Sequence, residues 1–134
     1  MMQSSVRDVL RECTAGADEG RLGFAELVVK LAEVGVDGYY ADFRRAEKTY
    51  YTIKGRCHVL QTATLAVTVA PDFSAEALRS AIKSVVDRAI TYVQFCDVIA
   101  AAGCVGYFVS LTGRRVIYYG KRGESHVEPF EMMG

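Results

Sequence analysis

Gly35-Val36-Asp37-Gly38-Tyr39-Tyr40 returns 68 positions later as Gly103-Cys104-Val105-Gly106-Tyr107-Phe108, and this recurrence decides how the chain is read. Ahead of the first copy, Phe24, Leu27, Val28, Leu31 and Val34 recur at helical spacing, so Gly35 falls where a helix stops and the backbone turns left-handed. From Gly38 the period changes to two. Tyr39, Ala41 and Phe43 alternate with Tyr40, Asp42 and Arg44, the pattern of a half-buried strand. Aligning residues 23–59 on 91–127 without a gap gives nine identities in 37 positions, among them both histidines, His58 and His126. Ordinary composition would supply about two or three.

The rest of the chain fits around these two stretches. Ser4 and Ser5 cap a helix with Val6, Val9, Leu10 and Cys13 on one face, ending near Thr14, and the Gly/Asp cluster of residues 16–23 breaks it. After the first strand, Arg45-Ala46-Glu47 turns into a strand over 48–53, and Lys54-Gly55 turns into another over 56–60. Residues 61–73 form the joint, with Leu65, Val67 and Val69 alternating as a further strand before Pro71-Asp72. Ser74 then caps a helix carrying Leu78, Ala81, Ile82 and Val85, and Thr91 with Gln94 forms a capping box for a helix carrying Tyr92, Phe95 and Ile99. Gly103 stops that helix. Strands follow over 105–111, 114–119 across Thr112-Gly113, and 124–127 before Pro129.

The expected fold is therefore α+β. A helix-helix-strand-strand-strand unit is duplicated in tandem, residues 4–60 and 74–128 joined by 61–73, within a single domain spanning 1–134. The strands form one largely antiparallel sheet with helices on one face. Parity assigns Tyr39, Ala41, Phe43, Tyr51 and Ile53 to the helix side, with Val105, Tyr107, Val109, Leu111, Ile117 and Tyr119. It assigns Tyr40, Tyr50, His58, Phe108, Tyr118 and His126 to the outer face, beside Gly38 and Gly106.

Sixteen basic and sixteen acidic residues give a formal net charge of zero, so no global field draws the chain to nucleic acid or an anionic membrane. No apolar run reaches the roughly 18 residues of a membrane span, and Met1 to Ser5 shows neither a basic start nor an apolar leader. Cys13, Cys57, Cys96 and Cys104 have no C-x-x-C spacing and read as buried free thiols of a reducing cytoplasm.

The run from Gly103 through Arg114-Arg115-Val116-Ile117-Tyr118-Tyr119-Gly120, followed by Gly123-Glu124-Ser125-His126-Val127-Glu128-Pro129-Phe130, resembles the short bacterial and prophage-borne proteins grouped as domain of unknown function 1398, sometimes labelled phage envelope protein. The resemblance extends to residues 39–51. It implies a small α+β fold in a bacterial or prophage setting, and it brings no established activity and no catalytic residues.

Three constellations carry chemistry. Glu124, His126 and Glu128 alternate on a strand, so their side chains share a face, as in a metal site or an acid–base pair. The positions 68 earlier are Arg56, His58 and Leu60, which keep the imidazole and lose both acids. The favoured reading is thus a histidine bonded to a tyrosine or a backbone group, with no metal and no cofactor. Arg44, Arg45 and Lys48, then Arg114 and Arg115, then Lys121 and Arg122 gather at hairpin turns, where cations protect strand edges. Cys57 and His58 adjoin, but strand neighbours point to opposite faces, which leaves Cys57 in the core. Gly103-x-x-Gly106 follows a helix, the wrong context for a dinucleotide fingerprint.

The expected function is that of a non-enzymatic cytoplasmic binding module. Its site is the outer sheet face, with Tyr40, Tyr50, His58, Phe108, Tyr118, Glu124, His126 and Glu128 as binding residues. That face admits a protein partner, a second copy or a small ligand, and argues against nucleic acid and membrane. The alternative is an enzyme or ligand-binding site around His126, Glu124, Glu128 and Tyr118.

Overall fold

The computed structural model describes residues 5–132. Ser5 caps α1 (Val6–Asp18), its hydroxyl accepting from the Asp8 amide; the expected contribution of Ser4 and the reading of residues 1–4 lie outside the described residues. α1 runs one turn past its expected end because Gly16 is buried directly against Leu22, where a Cβ would come within 2.5 Å of the leucine side chain. Then follow α2 (Phe24–Glu33), β1 (Val36–Asp42), β2 (Glu47–Thr52), β3 (Cys57–Gln61), α3 (Ala75–Val86), α4 (Tyr92–Ala101), β4 (Cys104–Ser110), β5 (Arg115–Gly120), β6 (Ser125–Pro129) and a short 3-10 turn, Phe130–Met132. Thr91 and Gln94 form the expected capping box on α4.

The strands form one antiparallel sheet in the order β3-β2-β1-β4-β5-β6, with β1 and β4 paired at its centre. The fold is α+β, with the helices over one face. Residues 65–69 do not join the sheet. The Ala66 amide bonds the Asp97 carboxylate, the Ala70 amide bonds the Ala100 carbonyl, and Lys121 Nζ donates to the Val69 carbonyl. These partners satisfy the segment across α4 in place of a strand ladder.

The sides of β1 and β4 agree with the sequence reading, and those of their neighbours are reversed. Tyr39 pairs with Tyr50, which pairs with His58; Tyr107 pairs with Tyr118, which pairs with His126. Tyr50, His58, Tyr118 and His126 therefore face the helices, while Tyr51, Ile117 and Tyr119 lie on the outer face. In the first half the cause is turn length. Residues 43–46 make a four-residue turn between Asp42 and Glu47, not the three-residue turn expected at 45–47. A one-residue difference moves every side chain of the next strand to the opposite face. Asp42 Oδ1 holds this turn by accepting from the Arg44 and Arg45 amides. Ser110 Oγ does the same for Gly113 in the turn 111–114; the expected two-residue turn at 112–113 has the same register, with Tyr107 opposite Tyr118, so there the sides of Ile117, Tyr118 and Tyr119 follow from the strand pairing itself and not from a change of turn length.

Two hydroxyls at positions 68 apart show what the helix layer does differently over the two ends of the sheet. α1 lies against β3, and Tyr50 donates at 2.8 Å to Thr14 Oγ1, which itself donates to the Leu10 carbonyl. α3 instead packs chiefly on α4, and the Tyr118 hydroxyl makes none of the side-chain hydrogen bonds among the described residues. Tyr50→Phe is expected to cost about 1 kcal/mol, the net worth of a buried hydrogen bond. Tyr118→Phe should stay within about 0.5 kcal/mol of the parent. Urea midpoints of the two variants check the contrast; equal losses would place a partner on Tyr118.

Candidate functional site

The space left by α3 is a cleft of about 550 Å³ between the helix layer and the sheet. Its floor is Tyr39, Tyr107, Val116 and Tyr118. Its walls come from two helix-to-helix turns: Ala17 to Leu27 around the end of α1, and Val85 to Phe95 around the end of α3. Leu22, Phe24, Leu27, Val85, Val86, Ile90 and Phe95 make these walls apolar. The volume lies inside the range of small-molecule sites.

Aromatic packing sets the shape of the floor. Tyr107 lies 5.5 Å from Tyr118 and 6.3 Å from Tyr39, centroid to centroid, and Phe95 meets Tyr118 edge-on at 6.3 Å. The Tyr92 and Tyr107 hydroxyls are bonded at 2.5 Å. Burial drives the phenols of Tyr39, Tyr92, Tyr107 and Tyr118 well above the usual tyrosine range. They stay neutral throughout the physiological range, as hydrogen-bond donors rather than bases. The thiols near the site are likewise held protonated: burial raises Cys96 to about 12 and Cys104 to about 11. A nucleophile needs the reverse shift.

Behind Tyr92 sits Lys48, expected at an exposed hairpin tip and found only 2 % exposed. Its Nζ lies 4.6 Å from the Tyr92 ring centroid and 5.6 Å from that of Tyr39, and it makes no ion pair among the described residues. Desolvation lowers its pKa below the ordinary lysine value, against weaker opposing fields from Cys96, Asp18 and Cys13. Lys48 lines a cavity of about 20 Å³ together with Asp18, Asp42, Glu47 and Asp97, with room for about one water.

The residues singled out from sequence are divided among three places. His126 Nε2 and Glu128 Oε2 bond at 2.7 Å on the inner face of β6, so the imidazole's partner is a carboxylate and not the expected tyrosine or backbone group. Tyr118 lies beside this pair, its ring 6.4 Å from the imidazole. Glu124 is elsewhere. Its carboxylate accepts from the Arg122 amide in the β5–β6 turn, so the expected triad is reduced to His126 and Glu128. Among the described residues no three His, Cys, Asp or Glu side chains are placed to hold a metal ion. Tyr50 and His58 are inside. Of the expected outer set, Tyr40 and Phe108 remain outside, each ring over a glycine: Tyr40 over Gly106 and Phe108 over Gly38.

Tyr51, Val59 and Val127 complete the outer face, 43 %, 45 % and 47 % exposed. Cys57, expected in the core, is exposed, because its parity on the edge strand β3 is opposite to that of His58 and Leu60. The cleft itself went unread in the sequence, where the phenols carried a strand signal and nothing marked the gap beneath α3. No helix among the described residues is long and apolar enough to cross a membrane.

Comparison with known proteins gives one family, described as Protein of unknown function (DUF1398), matching residues 22–128. That span holds the strands β1 to β5, all of β6 but Pro129, the cleft wall from Val85 to Phe95 and the part of the other wall from Leu22 on. No curated protein matches the chain.

Proposed function

The chain belongs to the DUF1398 family of proteins of unknown function, and we propose that it acts as a non-enzymatic binding module, cytoplasmic in setting, which holds a small molecule in the cleft between helices and sheet. The observation that carries this reading is the cleft's combination of size and lining: about 550 Å³ of preformed space walled by apolar side chains, with neutral phenols on its floor. Small-molecule sites have this composition, a mostly apolar wall and a few converging polar groups. Phenols and thiols held protonated speak for binding over proton transfer or nucleophilic attack. An enzymatic site around His126, Glu128 and Tyr118 would have to work through Tyr118, since neither His126 nor Glu128 lines the cleft.

The outer sheet face is the competing surface, suited to a protein partner or a second copy, and one experiment separates the two. Nile red, a neutral apolar dye, is expected to bind one-to-one with a blue-shifted emission. Ala25→Trp, an exposed α2 position on the cleft wall, should weaken that binding about tenfold or more by filling the space. Tyr51→Ser, on the outer face, should leave it unchanged. The opposite pattern would move the site to the outer face and sink the cleft reading.

A further inference from the structure

α1 and α3 end in the same hydrogen-bonded turn. The Gly20 amide donates to the Ala17 carbonyl and the Arg21 amide to that of Gly16; 68 positions on, the Arg88 amide donates to Val85 and the Ala89 amide to Ser84. The residue at the left-handed position of this turn is Gly20 in one case, at φ +73°, and Arg88 in the other, at φ +60°. Glycine adopts that conformation without steric cost, and a long side chain does so against a Cβ–carbonyl clash. The turn needs no arginine. Arg88 is exposed, lines the cleft and makes no ion pair among the described residues. An uncommon backbone state carrying an unpaired cation at the rim of an aromatic cleft is what a side chain retained for a ligand would show.

The other charges in the lining are already engaged. Arg21, at the opposite turn, pairs with Glu19 at 3.0 Å, and the Glu26 carboxylate accepts from the Gly23 amide as a helix cap, which leaves Arg88 as the cation of the lining without an ion pair among the described residues. Lys48 adds a buried cation behind the Tyr92 and Tyr39 rings. The floor offers the rings of Tyr118 and Tyr107 and the wall that of Phe95, together with the Tyr118 hydroxyl, which makes none of the side-chain hydrogen bonds among the described residues. Resting on the cleft as the binding site, we infer that its ligand is a small aromatic carboxylate, the ring system packed on the tyrosine floor and the carboxylate held at the mouth by Arg88.

Arginine holds carboxylates through charge-assisted, often two-pronged hydrogen bonds, and fused rings pack offset or edge-on against such a floor. The test compares 2-naphthoate with its neutral counterpart 2-naphthylmethanol, each titrated into the parent protein and Arg88→Gly, with binding read from tyrosine and phenylalanine ring resonances. Arg88→Gly restores the residue type that Gly20 provides in the matching turn, so it should melt no lower than the parent. We expect 2-naphthoate to bind the parent more tightly than the alcohol and to lose about tenfold or more in Arg88→Gly, with the alcohol unchanged. Equal binding of acid and alcohol, an unchanged acid affinity in Arg88→Gly, or equal weakening of both would overturn the carboxylate assignment and leave the cleft standing. Failure of both probes to shift the floor resonances would overturn the cleft reading as well.

Discussion

Gly103→Ala is expected to destabilise the fold by about 3–5 kcal/mol, while the same change at Gly35, 68 residues earlier, should cost only about 1–2 kcal/mol. Both glycines end a helix in the left-handed region, Gly35 at φ +83° and Gly103 at φ +91°, so both variants bear the conformational penalty. They differ in what surrounds them. A Cβ on Gly35 would meet nothing nearer than Ile53 at 3.7 Å, an ordinary contact. On Gly103 it would lie 2.1 Å from the Asp72 carbonyl oxygen and 2.7 Å from the Phe73 Cα, both main-chain atoms that no rotamer change can clear. The segment crossing there is pinned by the Ser74 amide on the Ala102 carbonyl, so backbone must shift to admit a methyl group. Against a total stability of roughly 5–15 kcal/mol, that loss is a large fraction of the whole. Urea unfolding of the two variants measures it; equal costs would mean that the 70–74 segment yields freely.

Lys48→Met is expected to act in the opposite direction, raising stability at neutral pH by about 1–3 kcal/mol, since a buried charge without a matched partner costs more than an apolar side chain of similar length. Val116, 68 positions on, already fills the corresponding place with an apolar group. The pH dependence follows from the lowered pKa of Lys48. Below that folded-state value both states hold the proton, and the full cost of burying the charge is present. Between it and the ordinary lysine value near 10.4, the unfolded chain keeps a proton that the folded chain has released, so parent stability climbs with pH. The advantage of Lys48→Met should thus be largest near neutrality and shrink as pH approaches about 10. The buried tyrosines, whose raised values make the fold lose stability above their unfolded pKa, affect parent and variant alike and cancel in the comparison. A difference independent of pH between 7 and 10 would show that Lys48 stays charged throughout, its ammonium fully compensated by the rings and the adjacent cavity.

Much of the architecture was legible because it is written locally. Ser5, Ser74 and the Thr91–Gln94 box start helices by hydrogen bonds that span three residues, and Gly35 and Gly103 end them by backbone conformation alone. The change of apolar period after each glycine names the strands, and strands joined by short turns pair antiparallel. The error in side assignment was also local in origin. Asp42, whose side chain bonds the amides two and three positions on, marks where the first turn begins; that signal places it at 43–46 and so turns Tyr50 inward, while a turn at either 112–113 or 111–114 sets Tyr118 opposite the inward Tyr107.

By itself, then, the sequence determined the order of the four helices and six strands, with a further strand at 65–69 that the structure lacks, the helix boundaries near their caps and the α+β class, all consequences of interactions a few residues long. Only the tertiary structure decided that Lys48 is buried behind Tyr92, that His126 meets Glu128 while Glu124 turns away, and that a cleft opens over Tyr107 and Tyr118. The cleft depends on how far α3 stands from the sheet while α1 lies against it, and the burial of Lys48 on the packing of α4 over strands distant in the chain, neither of which any residue pattern of period two or 3.6 records; the His126–Glu128 and Arg122–Glu124 contacts span two residues each, and which of them lies on the strand is set by where the β5–β6 turn ends.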